Sequence, residues 1–226
     1  MKTRILSIIY FVTGVLFIIS HYCHISNVAF ISKVLIIPPL MVIFILNLRP
    51  DSNRLHKFMF TGLFFSWIGD VLLEIPGGGE VMFMAGLGGF LLSLLMYAFV
   101  FFTTPGKNEV FHSRFYLLIP VLLYGLGMGF YLYDHLGEMR LPVIVYETVM
   151  ITMLAGAVSR IGKVNRTSYI MVLTGAILFI ISDTVLAVNK FVQPVGLSTL
   201  IIMGTYIAAQ WLITIGYIIQ YTRSLK

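Results

Sequence analysis

Residues 167–188, TSYIMVLTGAILFIISDTVLAV, form an unbroken apolar run long enough to cross a bilayer, and it carries one carboxylate, Asp183. A second run, residues 57–74, ends in FFSWIGDVLLE and holds Asp70 at the same relative place. A carboxylate inside a membrane span costs about 2.5–3.5 kcal/mol even on the lenient insertion scale, so a chain that keeps two is expected to use them.

About 20 helical residues cross a hydrocarbon core of about 30 Å. Runs of this kind recur at 5–21, 30–47, 57–74, 81–103, 115–133, 141–159, 167–188 and 197–220. They are continuously apolar, whereas the strands of a membrane barrel alternate with period two. The expected fold is therefore an all-α membrane protein with eight transmembrane helices, a single polytopic domain over residues 1–226. With 59% hydrophobic and 11% charged residues, nothing is left over for a soluble domain.

Lys and Arg decide which loops stay in the cytoplasm. Of the 15 in the chain, Lys2, Arg4, Arg49, Arg54, Lys57, Lys107, Arg114, Arg160, Lys163, Arg166, Arg223 and Lys226 fall on one side, and Lys33, Arg140 and Lys190 on the other. The split predicts both termini in the cytoplasm of a multi-pass cell-membrane protein, with a bacterial inner membrane as the expected location. It also explains the net charge of +6 as topology and contact with anionic lipid. No nucleic-acid motif is present. Lys2 and Arg4 precede the first run as in a signal peptide, but no small-residue cleavage site follows Ser20, so a retained helix is expected. Cys23, the single cysteine, excludes an internal disulfide.

With this topology Asp70 lies roughly 20 Å and Asp183 roughly 24 Å from the inner ends of their helices at 1.5 Å per residue, so both reach the outer third of the membrane. The helix of 141–159 runs the other way and places Tyr146 and Glu147 roughly 8–9 Å below its outer end. Tyr206 and Gln210 share a face of the last helix, and Glu74 stands one turn above Asp70. Asn189 and Lys190 close the Asp183 helix. The simplest arrangement is a polar cluster opening outward.

Thr61-Gly62 precedes Asp70 as Thr174-Gly175 precedes Asp183, and Leu73 and Leu186 follow each aspartate by three residues. This echo points to a parallel four-plus-four repeat. Gly77-Gly78-Gly79 lacks P-loop spacing and reads as an outer turn. The histidines, at 21, 24, 56, 112 and 135, fall at span ends or in loops, so a buried imidazole zinc site is not expected. Catalysis without metal or other cofactor is the favoured reading, with an all-carboxylate magnesium or calcium site as the remaining metal option. Trp67-Ile68-Gly69-Asp70 lacks the first glycine of the G-x-G-D signature of intramembrane aspartyl proteases. A proton- or cation-coupled transporter would also use paired intramembrane aspartates, but no span reads as interrupted at mid-depth near both.

Several stretches together resemble the YhhN-like lysoplasmalogenase family of integral membrane proteins: Gly69-Asp70-Val71-Leu72-Leu73, Gly86 through Tyr97, Pro142 with Tyr146, Gly175-Ala176-x-Leu178-Phe179-x-x-Ser182-Asp183 with Lys190-Phe191, and Tyr206-x-x-Ala209-Gln210 with Leu212-Ile213. The chain departs from the pattern at Leu94, where many members carry histidine. The resemblance implies eight membrane helices and hydrolysis of the vinyl ether bond of a single-chain ether phospholipid, giving a fatty aldehyde and a glycerophospho-alcohol. That chemistry suits two carboxyl groups: one protonates the β-carbon to give an oxocarbenium ion, and the other stabilises the ion and orients water. Asp70 and Asp183 are then the candidate acid/base pair. Glu74, Tyr146, Glu147, Asn189, Lys190, Tyr206 and Gln210 are candidate substrate-binding residues, Lys190 for the lipid phosphate.

Overall fold

The computed structural model describes residues 2–106 and 115–222, and the chain divides into two compact units between Tyr97 and Ala98. The described residues contain helices and no strand, as expected of an all-α membrane protein. Seven stretches are long and apolar enough to cross a membrane: Lys2–Tyr22, Ser26–Asn47, Gly79–Phe102, Phe115–Tyr133, Gly137–Ser159, Arg166–Val192 and Ser198–Thr222. The eighth expected span, 57–74, is the 20-residue helix Arg54–Leu73. It has the length, but His56, Lys57 and Asp70 dilute its apolar residues. Lys107, Arg114, Arg223 and Lys226, and with them part of the charge count, lie outside the described residues.

In the first unit α1 (Lys2–Tyr22) is followed by α2 (Ser26–Val34), α3 (Ile37–Asn47), α4 (Arg54–Leu73) and α5, which starts at Gly79 and ends at Phe102 in the second unit. The expected span 30–47 is interrupted between α2 and α3, on the side of Asp70. Pro38 and Pro39 cause the break: neither has an N–H, so the carbonyls of Val34 and Leu35 receive no helical donor. Trp67 of α4 supplies one of them, its indole Nε1 donating to the Val34 carbonyl over 2.9 Å.

Helices α4 and α5 meet backbone to backbone through small residues, the usual means of close helix association in lipid. A Cβ on Gly89 would lie 2.9 Å from the nitrogen of Gly69 and 3.1 Å from its Cα, and one on Gly69 would strike the Phe90 ring. A buried Ser66–Ser93 hydroxyl pair at 2.7 Å adds a cross-helix hydrogen bond.

The second unit holds α6 (Ile119–Tyr133), α7 (Arg140–Ser159), α8 (Arg166–Ala187) and α9 (Ser198–Thr222). Asn165 starts α8 by accepting from the Ser168 N–H at 2.9 Å, as Asn53 starts α4 by accepting from Leu55. Gly175 and Gly216 let α8 and α9 pack closely: a Cβ on Gly175 would sit 2.9 Å from the Ala209 carbonyl. At its end α8 widens into a π-turn, Val188–Val192, in which the Gln193 N–H reaches the Val188 carbonyl.

Arg160, counted from sequence as a cytoplasmic loop charge, is fully buried at the end of α7. Its Nη2 donates to Ser168 Oγ at 3.0 Å and Gln220 Oε1 at 2.7 Å, and its guanidinium lies 5.3 Å from the Phe101 ring centroid. Burial lowers its pKa to about 10, which leaves it charged at neutral pH while it ties α7 to α8 and α9.

The α4–α5 contact sets one test. Gly89→Ala forces backbone apart and is expected to destabilise the protein by about 1–3 kcal/mol. Gly88→Ala, whose Cβ meets nothing within 4 Å, is the matched control. Thermal unfolding in detergent should show a lowered Tm for the first variant and none for the second.

Candidate active site

Asp70 sits near the end of α4, fully buried, one turn beyond Trp67. Its Oδ1 is 3.3 Å from Lys33 Nζ, and both side chains are shut off from solvent. Lys33, counted on the outer side from sequence, is thus a buried partner of a carboxylate. It projects from the last turn of α2, and its ammonium also lies 4.7 Å from the Phe17 ring centroid of α1. Tyr10 of α1 and Tyr97 of α5 complete the surroundings, Tyr10 within electrostatic reach of both Asp70 and Tyr97.

Glu74 caps the end of α4 but faces a different recess, of about 270 Å³, which it shares with His21, His24 and Ser26. Among the described residues no three His, Cys, Asp or Glu side chains gather in a way that could hold a metal ion.

Asp183 is half-buried on α8 and accepts a 2.5 Å hydrogen bond at Oδ2 from the Tyr146 hydroxyl of α7. The next residue, Thr184, bonds the Tyr124 hydroxyl of α6 and donates to the Ile180 carbonyl. Tyr124 lies within electrostatic reach of both Asp183 and Glu147. One polar system thus runs across α6, α7 and α8. Gln210 Nε2 points to Tyr206 Oη at 3.5 Å, and the Tyr206 ring stands edge-on to Phe179, one turn before Asp183 on the same helix.

The remaining candidates separate. Glu147 follows Tyr146, and the 100° step of the helix turns it toward α6, where its carboxylate lies against the Gly129 backbone. Asn189 braces the π-turn, its Oδ1 accepting from the Val195 N–H at 2.9 Å, and Lys190 is exposed beside it. Sequence reasoning missed Lys33, Trp67, Tyr124 and Thr184. A lysine inside the apolar stretch 30–47 is the signal in the sequence that points to Lys33.

The family model described as the YhhN family matches residues 28–217. The chain belongs to the YhhN family. Among curated relatives it is 35% identical over 173 residues to the bovine lysoplasmalogenase TMEM86A, covering 74% of this chain and 66% of that protein. It is 30% identical to human lysoplasmalogenase TMEM86B over 83% of this chain and 75% of that one, and 26% identical to the lysoplasmalogenase of Mycobacterium bovis over 73% and 62%. The chain thus spans roughly two thirds of the length of several of its family relatives. No solved structure matches it. The matched region contains Lys33, Asp70, Tyr124, Tyr146 and Asp183.

The ion pair generates a double-mutant cycle. Breaking a buried pair on one side strands the other charge at a cost of about 3–5 kcal/mol, whereas replacing both charges by apolar groups is often neutral. Lys33→Met and Asp70→Leu should each sharply lower the Tm in detergent, and the double variant should recover most of the loss.

Proposed function

We propose that the chain is a membrane lysoplasmalogenase: it hydrolyses the vinyl ether of a single-chain ether phospholipid to a fatty aldehyde and a glycerophospho-alcohol. The observation that carries the reading is the Tyr146–Asp183 hydrogen bond, which joins two family-motif residues from different helices at one intramembrane carboxylate. The names of the curated relatives support the same activity.

In this reading the carboxyl group of Asp183 delivers a proton to the vinyl β-carbon. Water adds to the resulting oxocarbenium ion and returns a proton to the carboxylate, and the hemiacetal collapses, releasing aldehyde and alcohol with one water consumed overall. Tyr146 fixes the orientation of the carboxyl group, since its hydroxyl holds one oxygen and directs the other. Asp70 is assigned as the second carboxylate of the reaction on the sequence reading alone, which puts each aspartate in the outer third of its span. The Lys33 ammonium fixes its position. Tyr206 and Gln210 are assigned to hydrogen bonding near the reacting ether and Lys190 to the phosphate, with Asn189 at the outer rim. The same reading makes the protein a multi-pass protein of a bacterial inner membrane that takes its substrate from the lipid.

Nothing observed favours transport over hydrolysis. The α2–α3 break is filled by the Trp67 indole, and Lys33 already stands where a transported cation would meet Asp70.

Purified protein should release aldehyde from a vinyl-ether lysophospholipid and leave the matching alkyl-ether and acyl lipids intact. Asp183→Asn should lower the rate by about 100-fold to 10,000-fold, the range of general acid catalysis. Tyr146→Phe, which keeps the ring and loses the orienting donor, should lower kcat by up to about a hundredfold with little change in KM. Folded protein that turns over none of the three lipids, or cleaves the acyl lipid equally well, would overturn the reading.

A further inference from the structure

Between α6 and α7 lies a groove of about 640 Å³, within the size range of small-ligand sites. Its walls are Leu122, Leu126, Phe130, Ile144 and Ile151, and its one acidic group is Glu147. Gly125 and Gly129, one turn apart on α6, open it: a Cβ on Gly125 would strike Ile151, and one on Gly129 would come within 3.1 Å of Glu147 Oε2. Along α6 the lining runs from Leu122 to Tyr133, roughly 16 Å of helix, with Leu126 and Phe130 open to the surroundings. This is the shape of a slot for an alkyl chain that enters sideways from the bilayer.

Glu147 is 9% exposed, and its Oε1 has no hydrogen-bond partner among the described residues. The two threonines of the groove cannot serve it, because the Thr148 and Thr152 hydroxyls donate back to the carbonyls of Ile144 and Thr148. A buried acceptor without a donor is costly, and an acidic side chain in a span is by default functional. The missing donor has to arrive with an apolar chain. A phosphate is repelled by the carboxylate, and an ester offers only acceptors. A cationic head group belongs at the membrane surface, whereas Glu147 lies roughly 10 Å along α7 from Arg140.

We propose that Glu147 accepts a hydrogen bond from the free glycerol hydroxyl of a single-chain lipid whose tail lies in the α6–α7 groove. Glu147 thereby selects the lyso form over the two-chain form. This rests on the reading of the protein as a lysophospholipid hydrolase and names the group that its substrate must present. In the two-chain lipid an ester replaces that hydroxyl, so Oε1 stays unpaired and the second chain competes for the groove. Discrimination of this kind, where a site is built to hydrogen-bond a hydroxyl, is stronger than any hydrophobic pocket provides.

The test uses two non-hydrolysable probes with the same head group, 1-alkyl-2-hydroxy- and 1-alkyl-2-methoxy-glycerophosphocholine, and measures their binding to the intact protein in detergent. The wild type should bind the hydroxy probe at least tenfold more tightly. Glu147→Leu should lose that preference while keeping its affinity for the methoxy probe, and Glu147→Gln, which retains an acceptor, should keep part of it. Leu126→Trp, which fills the groove, should weaken both probes together. Equal binding of the two probes by the wild type, a preference that survives in Glu147→Leu, or a loss of both probes in that variant, as a head-group contact would give, overturns the assignment. Aldehyde release is measured on the same preparations. Intact hydroxyl preference without turnover of the vinyl ether overturns the hydrolase reading and supports the Glu147 assignment.

Discussion

A charge in hydrocarbon needs a partner within reach, and the Lys33–Asp70 pair is the contact around which the first unit is arranged. Pro38 and Pro39 deprive the turn before them of donors, which ends α2 at Val34, one residue past Lys33. The Val34 carbonyl left over takes the Trp67 indole N–H, and this fixes α4 against the break. Asp70, three residues on and thus on the same face, is then held opposite Lys33. The close approach of Gly69 to Gly86 and Gly89 presses α4 against α5 at the same level. Proline, tryptophan, glycine and the two charges solve one problem together, and each has a reason that the others supply.

The second unit handles its acidic groups differently. Asp183 accepts from a tyrosine hydroxyl at 2.5 Å, and its neighbour Thr184 bonds a second tyrosine. A hydrogen bond from a tyrosine fixes the orientation of a carboxyl group, which suits the proton-transfer role proposed for Asp183. Glu147, one residue from Tyr146, is left with an open acceptor in an apolar groove. The buried guanidinium of this unit, Arg160, is kept apart at the far end of α7, where Ser168, Gln220 and an aromatic ring hold it.

The all-α membrane class was legible because hydrocarbon permits so few alternatives, and continuous apolar runs name one of them. The two aspartates stood out for the same reason. Positive charges were harder: assigning Lys33 and Arg160 to sides of the membrane followed a rule about numbers of charges near span ends, and that rule says nothing about which way an individual side chain turns. Both turn inward, one to a carboxylate and one to neutral acceptors. The Tyr146–Asp183 contact was half legible, since both residues belonged to family motifs and to similar depth. Tyr124 was not, because its partner lies 60 residues away and nothing local distinguishes it from an ordinary membrane tyrosine. The α2–α3 break could have been read from Pro38-Pro39, which excludes an unbroken helix over 30–47 whatever the hydropathy says.

The indole that closes the proline break has an optical consequence. The chain has two tryptophans, Trp67 in the first unit and Trp211 in the second, beside Gln210. Each half of the molecule thus carries its own fluorophore, and the emission of Trp67 depends on a hydrogen bond to a carbonyl beside the Lys33–Asp70 pair. Replacing one indole at a time by phenylalanine would separate two spectra, one from each unit, as lipid, pH or detergent is changed.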